Sequence, residues 1–414
     1  MSFEIVEGLL TLKLSLVGTL AVAVLLLIYG NWIRKIFPFF TRFCIPAPVI
    51  GGFSFSLLAW LFKELDIMAF NLDTTLQMPL MIAFFTTVGL GGSLGLIKKG
   101  GRLLLVYLVG CWVLAIMQNV VGAATAMLTG IHPVLGVMAG AVSLEGGMGA
   151  ASAFGPTAEQ MGVQGAFVVA VASATYGLIS GGLLGGPVAK WLIEKNRLEI
   201  KTDERETPLY EEVITQETGK ERSLVTSNSM LYMMGLLLVI MVLGELIAGY
   251  IKTATGFVLP GYITAMFVAV VFRNINDSVK FVKVHDESVN LIADVSLGLF
   301  LSMAMMSLKI WELASLALPL IIILVVQTIF ILAYSIYFMF PLLGRDYDAA
   351  VICAGLVGHG LGATPNAIAN MNAVSERYGV VSRKAFLIVP LCGAVLIDLV
   401  GIPNIVWFIN YFIK

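Results

Sequence analysis

Long apolar segments set the first limit on this chain. Stretches near residues 14–33, 44–62, 78–97, 103–129, 163–192, 229–251, 257–272, 290–308, 313–341 and 385–411 recur along it. Each is long enough, or nearly so, to cross about 30 Å of hydrocarbon. With 59% hydrophobic and only 12% charged residues in a 414-residue chain, a water-soluble body could not hide that surface. The class is therefore an all-α polytopic membrane protein. A net charge of −1 gives no sign of a nucleic-acid partner. Cys44, Cys111, Cys353 and Cys392 lie in or beside apolar segments at spacings that suit packing rather than a metal or disulfide framework. The start, MSFEIVEGLL, lacks the basic region and cleavage site of a signal peptide, so the first apolar stretch is expected to stay as a span.

Two runs do not read as clean spans: VSLEGGMGAASAFGP at 142–156 and GLVGHGLGATPNAIAN at 355–370. Glycine in a helix costs about 1 kcal/mol per residue relative to alanine. Backbone freed in this way cannot face lipid, and needs protein or a water-filled cavity beside it. The expectation is a pair of re-entrant hairpins, about 133–156 and about 347–370, that line a solute site.

The polar block at 195–228 divides the chain into a first membrane repeat, 1–194, and a second, 229–414. If the N-terminus lies outside, all lysines and arginines except Lys13, Lys63, Lys252, Lys309 and Lys414 fall inside, as positive-inside topology demands. The linker is then cytoplasmic and both termini are outside. A constant spacing of 214 residues relates Pro46 to Pro260, Gly130 to Gly344 and Val137 to Val351. One residue of slippage then lays GMGA (147–150) over GLGA (360–363). Five crossings per repeat is odd, so the second repeat enters upside down. Two inverted repeats of five helices, each with a broken segment near the midplane, make a secondary-transporter architecture. The two hairpins would then meet near the middle.

Within this frame, Glu145 sits at the first tip. A carboxylate at mid-membrane depth costs on the order of 3 kcal/mol and needs a cation, a proton or water. It binds cation or substrate, or it sits in water at a hairpin mouth. Ser143, Gly146, Gly147, Met148, Gly149 and Ser152 surround it as substrate-lining candidates. At the second tip His359, Gly360, Gly362, Thr364 and Asn366 take the same part. His359 could donate to a carboxylate, shuttle a proton, or make a structural hydrogen bond. Gln118, Asn119, Thr87, Asn370 and Asp294 are sodium candidates, since a hard cation is satisfied by oxygen. Each has a structural alternative: helix–helix hydrogen bonds for the uncharged groups, favoured for Thr86 and Thr87, and an N-cap for Asp294. Asp398 is a similar carboxylate with a less defined place. GGLLGG (181–186) reads as a close-packing face. The chain has no GxxxxGK[ST] run for ATP and no HExxH run.

LASLALPLIIILVVQTIF (313–330), RDYDAAVICAG (345–355), GLGATPNAIANM (360–371) and IPAPVIGGF (45–53) resemble the bacterial sodium/glutamate symporter family. The resemblance runs from about residue 14 to 411. It implies sodium-driven uptake of acidic amino acids through the inner membrane, by a homodimer whose hairpins ride in a moving transport domain. Sodium is the coupling ion and no other cofactor is implied. The family's first hairpin usually reads SGGHG, and here EGGMG stands at 145–149. Glu145 thus replaces a serine and Met148 a histidine, and Asp294 stands where asparagine is expected. Added carboxylates disfavour an acidic substrate, so another small carboxylate or amino acid, and proton coupling, stay open beside glutamate and sodium. A channel would need a continuous polar path, which opposed hairpins argue against. An intramembrane enzyme would use Glu145 and His359 as acid and base.

Overall fold

The computed structural model describes residues 2–6, 9–93, 95–200, 224–255 and 259–413. Most of the linker, residues 201–223, and the start of the seventh apolar segment, 257–258, lie outside these. Helices dominate: α1 (Leu16–Ile36), α2 (Ala47–Glu64), α3 (Gln77–Gly91), α4 (Gly101–Leu128), α5 (Pro133–Val142), α6 (Gly147–Gln160) and α7 (Ala166–Asn196). After the linker come α8 (Ser227–Thr255), α9 (Gly261–Val279), α10 (Asp286–Met306), α11 (Ala317–Leu342), α12 (Tyr347–Leu361), α13 (Thr364–Tyr378), α14 (Arg383–Leu391) and α15 (Asp398–Ile413). Among the described residues six helices, α1, α4, α7, α8, α10 and α11, are long and apolar enough to cross a membrane.

Two features depart from the sequence reading. A small sheet joins β1 (Ser2–Val6), β2 (Leu9–Leu14) and β3 (Ala69–Leu72), antiparallel then parallel. In LLTLKL, Leu10, Leu12 and Leu14 alternate with Thr11 and Lys13, a strand period that an apolar count hides. The last apolar segment is also broken: α14 gives way to a π-turn at Cys392–Leu396 before α15 begins at Asp398. Pro390 and Gly393 lie at that break. A proline lacks the N–H that would continue the ladder.

The helices sort into two bundles that cut across the sequence halves. In the first, α3 packs on α9 and α10, α1 on α2 and α10, α8 on α9, and α2 on α10. In the second, α7 packs on α6, α12 and α13, α4 on α5, α11 and α15, and α14 on α12 and α13. Contacts between the bundles are sparse and run mainly from α6 to α10. Phe154 of α6 meets Tyr262 of α9 edge-on, with ring centroids 5.5 Å apart. Ends of the first bundle are clamped by charge: Arg273 bridges Asp277 and Asp286 at 3.0 Å each, and Ser93 donates to Asp277 at 2.7 Å.

One of the close helix contacts lies inside the second bundle. Gly177, Gly181 and Gly185 form one face of α7, at helical spacing of four. A Cβ on Gly177 would collide with the carbonyl of Leu361, one on Gly181 would lie 2.9 Å from the carbonyl of Gly358, and one on Gly185 would meet Ala354. The partner numbers fall as the glycine numbers rise, so α7 and α12 run antiparallel. Close packing, as the GGLLGG pattern suggested, is what these glycines do.

This face yields a stability prediction. Gly177→Ala forces backbone apart and should cost about 1–3 kcal/mol, despite alanine's better helix propensity. Gly186 serves as the control, because a Cβ there would meet nothing within 4 Å, and Gly186→Ala should be neutral or slightly stabilising. Thermal unfolding in detergent compares the two.

Candidate functional site

Both glycine-rich runs form broken helices in the second bundle. The first descends as α5, loosens into a π-turn at Met138–Val142, departs from helix at Gly140 (φ −103°, ψ −133°) and restarts as α6 at Gly147 (φ +60°). The second ends α12 at Gly362 and restarts as α13 at Thr364, with Pro365 in its first turn. Its two arms lie side by side and antiparallel: the rings of Tyr347 and Tyr378 are 6.3 Å apart at one end, and Gly358 faces Ala367 near the other. The helical arms extend to Gln160 and Tyr378, past the expected limits of 156 and 370. The breaks meet. A Cβ on Gly147 would lie 3.5 Å from the carbonyl of Gly362.

Several expected ligands are already occupied by backbone. Ser143 donates to the carbonyls of Met138 and Ala170 at 2.5 and 2.8 Å. Asn366 and Asn370 donate across to α7, at Leu178 (2.7 Å) and Gly181 (2.8 Å). Thr364 donates to Gly393 at 3.1 Å, tying the second break to the broken last helix. Thr86 and Thr87 bond carbonyls of their own helix, Ile82 and Phe84, rather than a neighbouring helix. Asp294 is exposed on α10, and it does not cap that helix. The cap is His285, whose ring accepts from the Ser288 N–H at 3.1 Å. Met148 is buried, and Gly149 faces Phe84 of the first bundle.

Other groups converge with bonding capacity to spare. Gln118 donates its side-chain amide to the Gly360 carbonyl at 2.7 Å, and its backbone carbonyl accepts from the Gln327 amide at 2.6 Å. Asn119 accepts from the Ala141 N–H at 3.1 Å, which holds the first break open. Oε1 of Gln118, Oε1 of Gln327, Oε1 of Glu145 and Nδ2 of Asn119 are buried with no hydrogen-bond partner among the described residues. Such a group costs about 1–3 kcal/mol unless something meets it. Asp398, at the start of α15, is the acidic group that acts on Glu145. A cation or a proton would relieve both.

His359 is buried beside this centre, and its partner is no carboxylate. Nε2 shares a 2.6 Å hydrogen bond with the Tyr107 hydroxyl, and Cys111 Sγ is 3.8 Å away. Sequence reading missed Tyr107 and Gln327. Gln327 had a visible signal, a lone amide inside an apolar run; a tyrosine in a span carries none.

The arrangement defines a multi-pass helical membrane protein built around two helix breaks that meet beside a buried polar centre. A profile of the sodium/glutamate symporter family matches residues 12–380. The sodium/glutamate symporter of Haemophilus influenzae is 39% identical over 384 residues, covering 92% of this chain and 94% of that protein. That of Escherichia coli K12 is 40% identical over 390 residues, covering 94% of this chain and 96% of the relative. The chain belongs to the sodium/glutamate symporter family. Its relatives are named as transporters, not enzymes.

The Tyr107–His359 bond is testable. Tyr107→Phe leaves a buried imidazole nitrogen without its partner and should lower stability by about 1–3 kcal/mol. Thermal unfolding of the variant should reveal this loss; an unchanged midpoint would mean that another group takes over the nitrogen.

Proposed function

We propose that the chain is a sodium-coupled symporter of glutamate, or of a related acidic amino acid, in the bacterial inner membrane. The observation that carries this reading is the meeting of the two helix breaks around unpartnered oxygens of Gln118, Gln327 and Glu145. Broken helices near the midplane offer carbonyls and side-chain oxygens to sodium, and amide ends to anionic groups. Family membership supplies the substrate expectation.

Residues 1–194 and 229–414 act as inverted repeats joined by the cytoplasmic linker 195–228, with both termini outside. Matching local geometry supports this. Pro46 and Pro260 open α2 and α9 with the same ψ of 142°, and Gly130 and Gly344 both turn with positive φ ahead of a broken helix. α5–α6 then enters from outside and α12–α13 from the cytoplasm as re-entrant hairpins. The sparse contact between bundles suits elevator motion, in which the second bundle carries the site past the first. Apolar, exposed faces on α1 and α8 suit lipid or a second copy in a homodimer.

Glu145 and Asp398 give a specific reason for a second reading, proton coupling. Asp398 is a second carboxyl that acts on Glu145, and it lies beyond the residues matched by the family profile. The drive is read directly from uptake. In proteoliposomes, labelled L-glutamate should accumulate under an inward sodium gradient and fail to do so when choline replaces sodium. Uptake driven by a proton gradient alone would replace sodium with the proton.

Residue roles follow. Gln327→Leu should raise the half-saturating sodium concentration about tenfold, a loss of about 1.4 kcal/mol. Asp294→Asn should leave it within about twofold, the range expected of a surface change. Glu145→Ser with Met148→His removes a nearby negative charge, and should tighten glutamate binding measured without sodium by about 1–3 kcal/mol. Equal glutamate affinity in this double variant and the wild type would remove Glu145 from the site.

A further inference from the structure

Between the bundles lies a second polar space, distinct from the helix breaks. A cavity of about 240 Å³ opens between α3, α6 and α10, lined by Thr74, Gln77, Ser152, Thr157, Glu159 and Ser307 among others. That is smaller than the roughly 300–1,000 Å³ of drug-sized pockets, and it suits a compact metabolite. Ser152 is the informative group. It is fully buried, it lines the cavity, and its hydroxyl has no partner among the described residues. Other hydroxyls are already directed: Thr157 donates to Ala153 at 2.8 Å and Ser307 to Met303 at 3.1 Å, so each offers only acceptor capacity.

Glu159 supplies the charge. One of its oxygens accepts the Phe167 N–H at 3.0 Å, which fixes the carboxylate and leaves the other oxygen available. The ionised side chains that act on it are Glu312 and Lys309, and these are paired with each other at 3.6 Å. No basic side chain lines the cavity among the described residues. A ligand with only negative groups therefore meets repulsion there, and one carrying an ammonium group meets a fixed partner.

We propose that this cavity is an outer waiting site for an α-amino acid, with Glu159 taking the ammonium group and the Ser152 hydroxyl donating to the α-carboxylate. The site rests on the transport reading above, which places this face of α6 outside, and it precedes the centre at the helix breaks. Its walls come from both bundles, so sliding of one past the other would dismantle it and release the ligand inward.

The test uses Thr157→Cys in the full-length protein, reconstituted in proteoliposomes without sodium. A membrane-impermeant cationic thiol reagent labels this position, and peptide mass identifies the label apart from the native cysteines. L-Glutamate and L-glutamine should each slow labelling at least about fivefold, and glutarate, which lacks the ammonium group, should not. Adding Glu159→Gln to the same protein should cancel the protection. In uptake, Glu159→Gln alone should raise KM for L-glutamate about tenfold with kcat within about twofold. Protection by glutarate equal to that by glutamate, protection by sodium chloride alone, no protection by either amino acid, or protection that survives Glu159→Gln would each overturn the proposal. The two readings fail separately. Sodium-driven uptake without protection removes only the waiting site; protection as described without sodium-driven uptake removes only the coupling.

Discussion

Backbone contact between α7 and α12 holds the polar centre together. Glycines at 177, 181 and 185 let the two helices approach until carbonyls of Leu361, Gly358 and Ala354 occupy the space a side chain would need. At that separation Asn366 and Asn370 can reach the α7 carbonyls, which fixes α13 as well. The break at Gly362 is thereby set against Gly147, and the opposed ends are positioned by packing rather than by charge. Without the glycine face, the second broken helix would lose its register against the first.

The same economy explains why so many expected ligands are spent on structure. A broken helix leaves carbonyls and N–H groups without their ladder partners, and in lipid these must be met internally. Ser143, Asn119 and Thr364 meet such groups at the breaks, while Asn366 and Asn370 bond carbonyls of the unbroken α7. What remains unmet is concentrated on Gln118, Gln327 and Glu145, with Asp398 close enough to act on Glu145. In the proposed mechanism that remainder of unmet polarity is what sodium and substrate satisfy.

Much of this was legible in the sequence. Apolar length disclosed the membrane class, and glycine runs around Glu145 and His359 disclosed the breaks, because both are local properties. The division into bundles was hidden. It mixes helices from both halves, and nothing in a linear pattern tells α3 to pack on α9 rather than on α4. Side-chain roles were hidden for a related reason. Asn370 and Gln118 are both amides inside apolar or small-residue runs, yet Asn370 meets a neighbouring backbone and Gln118 keeps a free oxygen. Asp294 lies on an exposed face of its helix, which an apolar segment does not disclose. The β1–β2 hairpin was missed because its strands are short and precede a long apolar run.

The account's central claim is that the second bundle moves as one body against the first. Spin labels at Glu64 and Gln160 report across the bundles, and labels at Gln160 and Glu376 report within the second. Distances are measured by pulsed electron resonance without sodium, and again with sodium and L-glutamate. The account predicts a shift of at least about 5 Å, one helical turn, for the cross-bundle pair, and no change for the internal pair. A fixed cross-bundle distance, or equal shifts in both pairs, would contradict it.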